Sequence, residues 1–61
     1  MDKAKLLEIV PKDEWKSTAN IARDAKINWY VALAGLSELA NVDQSIEKLS
    51  TSKKAIYWKR K

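Results

Sequence analysis

Apolar positions recur at helical spacing through the first forty residues and change pattern after Ser45. Leu6, Leu7 and Val10 share a helical stripe within residues 2–10. Asp2 stands where the helix dipole favours an acid, and Pro11 stops the run, so the spacing predicts a short first helix. Residues 12–16 are charged around Trp15, which reads as a core anchor in an extended segment. Ser17 or Thr18 is suited to cap a second helix with Ile21, Ala22 and Ala25 on one face. Lys26 and Ile27 then make a tight connection. Asn28 opens a third helix reaching about Ala40 or Asn41, with Ala32, Gly35, Leu36 and Leu39 at helical spacing. Gly35 lowers helix propensity, and its smallness allows another helix to cross at close range.

Beyond Ser45, Ile46 and Leu49, then Ile56 and Trp58, fit two strands joined by a Ser-, Thr- and Lys-rich turn within residues 50–54. No Asn-Gly or Asp-Gly pair is present, which predicts a loop of several residues. The expected fold class is α+β, three helices plus a C-terminal β-hairpin, built as one domain over residues 1–61. A chain of this length has material for one core.

Composition removes several kinds of chemistry. With no Cys and no His there is no disulfide, thiolate nucleophile, imidazole base or usual zinc ligand, so no metal and no cofactor are expected. Asp13 and Glu14 are the only adjacent acids, and Asp24, Glu38, Asp43 and Glu47 read as solvated faces and helix ends. The Ser and Thr hydroxyls lack an activating base, so the chain is expected not to be an enzyme. No apolar run approaches the roughly 18 to 20 residues of a membrane span, and no secretory signal pattern opens the chain. A cytoplasmic protein without a membrane partner is the expectation. Charge matters through its position. Lys48, Lys53, Lys54, Lys59, Arg60 and Lys61 fall in residues 48–61 without one acid, a distribution that attracts a polyanion or simply keeps the domain soluble.

The order of helix, extended segment, helix, helix and hairpin resembles the winged helix-turn-helix superfamily of small bacterial and archaeal regulators. Ile21 and Ala22 in the second helix, Ile27 in the turn and Leu36 and Leu39 in the third match its pattern, and Gly35 matches the small residue before the first leucine. A glycine commonly precedes the first wing strand. Here Asn41, Val42 and Asp43 stand in that region, leaving the start of the strand open by two or three residues.

The resemblance implies duplex DNA binding and a role in transcription regulation, with the third helix in the major groove and the wing on the backbone. On that reading Lys53 and Lys54 of the wing, Arg23 and Lys26 of the second helix, and Lys59 and Arg60 of the tail meet phosphates, while Asn28 and Tyr30 reach bases. The third helix has no basic reader, which a two-fold dimer would partly offset. The alternative is a protein-interaction or dimerisation module. Trp29, Tyr30 and Leu33, with Val31, put apolar side chains where a DNA reader is usually polar, and such clusters mark interfaces with another protein or a homodimer partner.

Overall fold

The computed structural model describes residues 3–61, as α1 (Lys3–Ile9), β1 (Lys16–Ser17), α2 (Thr18–Ala25), α3 (Trp29–Glu38), a π-helical turn (Leu39–Asp43), β2 (Ile46–Ser50) and β3 (Ile56–Arg60). The α+β architecture is the expected one, three helices and a C-terminal hairpin. β1 adds a short third strand, giving an antiparallel sheet of order β1–β3–β2. Asp2, the acid expected at the start of the first helix, lies outside the described residues.

Local chemistry sets the helix boundaries. Of the two candidate caps for α2, Ser17 takes the role, accepting the Asn20 N–H at 3.1 Å. The helix stops at Lys26, whose φ of 58° is left-handed. The Lys26 and Ile27 N–H groups turn back to the Arg23 and Ala22 carbonyls at 3.1 and 3.0 Å. Asn28 then caps α3, its Oδ1 accepting the Tyr30 N–H at 2.7 Å. After Glu38 the helix widens into the π turn, closed by Gln44 and Ser45, whose N–H groups both reach the Leu39 carbonyl. Gln44 has a φ of 55°, the conformation a glycine would adopt without steric cost. The first hairpin strand then starts at Ile46.

The core takes Leu6 and Val10 from α1, Ile21 and Ala22 from α2, Ala32 and Leu36 from α3, and Leu39, Ile46, Ile56 and Trp58 from the turn and hairpin. Gly35 admits the close crossing expected of it, since a Cβ there would lie 2.5 Å from Leu6 Cδ1. Trp58 is fully buried, and its Nε1–H donates to Thr18 Oγ1 at 2.7 Å. The Thr18 hydroxyl in turn donates to the Ile56 carbonyl at 2.9 Å. This relay pins the start of α2 to β3, and among the described residues no buried side-chain polar atom lacks a partner.

Trp15 departs from its expected place. It is 39% exposed rather than a core anchor, with the Lys59 ammonium 5.0 Å from its ring centroid. The cause is strand parity. Lys16 pairs with Trp58, which points inward, so the preceding residue falls on the opposite, outer side of the sheet. The same rule turns Leu49 outward, because Ile46 takes the inward position three residues earlier. Lys48, directly opposite Trp58, lays its ammonium 5.9 Å from that ring.

Two ion-pair groups clip elements together at the surface. Lys16 bonds Asp24, joining β1 to α2, and this hydrogen bond holds the Asp24 carboxyl below its ordinary pKa. Lys3 meets Glu38 at 2.9 Å and Asp43 at 3.7 Å, and the bond to Glu38 raises the Lys3 pKa. Such exposed pairs contribute little to stability.

Candidate nucleic-acid interface

The hairpin loop positions the most exposed cations. Thr51 gives both its N–H and its hydroxyl to the Ala55 carbonyl, at 3.0 and 3.1 Å, and the Ala55 N–H reaches Ser52 Oγ at 3.2 Å. Side-chain oxygens thus do the work of an Asn-Gly turn and hold Lys53 and Lys54 at an exposed tip. Lys54 borders an open cleft of about 390 Å³ whose other walls are Ala19 at the start of α2 and Trp29 and Tyr30 at the start of α3. Three separate elements therefore meet at one face.

Within the cleft the two aromatic rings stand edge to face, centroids 5.0 Å apart and planes at 86°. Tyr30 is 72% exposed, while Trp29 is half-buried. Asn28 is exposed beside them, its carbonyl oxygen engaged by the Tyr30 N–H. Arg23 follows Ala19 by four residues on the same face of α2, and Lys26 ends that helix. Arg23, Lys26, Lys53 and Lys54 are all exposed, and none is held in an ion pair among the described residues.

The other two basic candidates sit elsewhere. Arg60 is half-buried and donates from Nε to the Val10 carbonyl at 2.8 Å, while its backbone N–H reaches the Pro11 carbonyl at 2.8 Å. It satisfies carbonyls left open at the end of α1. Lys59 lies over Trp15 on the outer face of the sheet. Lys59 stands five positions beyond Lys54, about 16 Å of extended chain, so the basic C-terminal quarter is split between the two ends of the hairpin.

The apolar cluster on α3 also divides. Leu33 is half-buried and packs against the core, whereas Tyr30 and Val31 are exposed, Val31 by 46%. Together with Ala34 they flank a groove of about 460 Å³ over Leu6 and Gly35, closed at one end by Lys3 and Glu38. Ala19 and Ala34 escaped the sequence reading of the site because they carry no chemistry. Their contribution is to leave space, which becomes visible only when the elements are packed.

Among the described residues, no group of acids is arranged to hold a metal and no helix is long and apolar enough to cross a membrane. No known protein family matches the chain, and searches among curated proteins and among solved structures give no significant match.

Proposed function

We propose that the chain is a winged helix-turn-helix domain that binds duplex DNA and serves as a transcriptional regulator. The observation that carries this reading is the meeting of the starts of α2 and α3 with the lysine-bearing hairpin tip around one cleft. On this reading the N-terminal half of α3 enters the major groove, Asn28 and Tyr30 face base edges, and Lys53 and Lys54 rest on the backbone beyond. Arg23 and Lys26, exposed on α2 and at its end, meet further phosphates. Lys59 and Arg60 drop out of the contact set, since one covers Trp15 and the other closes α1. Four phosphate contacts release about four counterions, so affinity for a labelled duplex is expected to fall about 10²-fold between roughly 50 and 200 mM salt. Absence of binding at the lower salt, or binding indifferent to salt, contradicts the proposal.

A second reading rests on the groove between α1 and α3. An antiparallel two-fold pairing of α3 with its copy would bring the exposed Val31 of each chain against the exposed Ala34 of the other, large against small. The surface is modest beside the roughly 800 Å² per partner of a standard interface, so this dimer would be weak. Sedimentation at high micromolar concentration is expected to show dimers for the wild type and folded monomers for Val31→Lys, whose exposed position tolerates the charge. A monomeric wild type under those conditions rules this interface out.

A further inference from the structure

The cleft is unusual for a duplex-reading surface. Residues 28–34 offer no basic side chain to a base edge, and the carbonyl oxygen of Asn28 is already engaged in capping α3. What the site presents instead is an aromatic face. Tyr30 is 72% exposed, and its ring is steadied by the perpendicular ring of Trp29, which lowers the entropy lost when a ligand lies against it. Ala19 leaves the opposite side open, and Lys54 places a cation at the rim. The combination of a flat apolar face, a slot beside it and an ammonium group at its edge matches a planar base with its phosphate still attached.

A paired base inside B-form DNA cannot use such a slot, because its faces are covered by its neighbours and only its edges reach the grooves. A base without a stacking partner can. We infer that the Ala19–Trp29–Tyr30–Lys54 cleft receives an unstacked nucleobase on the Tyr30 ring, so that the domain prefers DNA carrying an unpaired base over a fully paired duplex. Stacking tolerates any base, which suits a helix without a basic edge reader. The inference rests on the DNA-binding reading and adds the form of DNA that the face selects.

The test compares three labelled duplexes of one sequence and equal length: fully paired, with a single unpaired adenine bulged at its centre, and with an abasic residue at the bulge. The abasic duplex has the same hinge and the same backbone charge but nothing to stack. Wild type is expected to bind the adenine bulge about tenfold more tightly than either of the others. Tyr30→Ala is expected to abolish that preference, so that the variant binds all three duplexes equally, and Tyr30→Phe to retain it, the aromatic face being what matters. Both substitutions fall on an exposed side chain, and thermal unfolding confirms that the variants are folded. Equal affinity for bulged and paired DNA, equal affinity for the adenine and abasic bulges, or a preference surviving Tyr30→Ala overturns the inference while leaving duplex binding intact. Failure to bind any of the three at low salt overturns both readings.

Discussion

Replacing Trp58 by alanine is expected to remove half or more of the stability of the domain at 25 °C. A domain of 61 residues has a stability of about 3 to 9 kcal/mol at typical values per residue. Removing a fully buried Trp costs about 3 to 5 kcal/mol through lost burial and the cavity left behind. Its Nε1–H also satisfies the buried Thr18 hydroxyl, so the variant loses the contact between β3 and the start of α2 as well. Trp58→Phe retains most of the volume and forfeits the hydrogen bond, a smaller loss of about 1 to 3 kcal/mol. Urea titration followed by circular dichroism measures both. A cooperative transition for Trp58→Ala within about 1 kcal/mol of wild type would remove Trp58 from the centre of the account.

Reversing the charge of both hairpin-tip lysines, Lys53→Glu with Lys54→Glu, is expected on the proposed function to weaken binding to paired DNA by about 10²-fold at low salt. The slope of log affinity against log salt should become shallower by about 1.8, the amount due to two lost phosphate contacts. Lys59→Glu with Lys61→Glu changes the net charge by the same amount at the far end of the hairpin. It is expected to act only through the long-range field, by about threefold or less at moderate salt, where charges beyond about 10 Å are screened. The pair of double variants separates a located contact from a general attraction of a basic protein for a polyanion. Equal losses in the two variants would mean that net charge alone drives binding.

The elements of the fold were legible because their signals are local. Ser17 and Asn28 cap the helices that their positions announced, and Gly35 marks a close crossing that its size implied. What escaped depends on the other strand of a pair. Trp15 was read as core from its hydrophobicity, but its direction is set by pairing of the next residue with Trp58, some forty positions away. Leu49 lies in β2 as its pattern implied, and its outward direction follows from its odd offset from the inward Ile46.

The candidate site divides along similar lines. Exposure of Lys53 and Lys54 follows from their place in a polar turn, and exposure of Tyr30 follows from its phase on α3. Arg60 looked like one more cation in a basic tail. Its bond to the Val10 carbonyl arises from the return of β3 to the end of α1, a contact fifty residues apart that no periodicity reports. Gln44 is another case, a residue other than glycine whose backbone adopts the left-handed conformation without a local signal in the sequence.

A map of backbone amide shifts, recorded while unlabelled duplex is added to isotope-labelled protein, locates the DNA-binding face residue by residue. The largest changes are expected at Ala19, Arg23, Lys26, Trp29, Tyr30, Lys53 and Lys54, with the indole N–H of buried Trp58 little affected. Lys12, Lys59, Arg60 and Lys61 should move least among the cations. Shifts concentrated on those four residues, with the cleft between α2, α3 and the hairpin tip unchanged, would contradict the proposed interface.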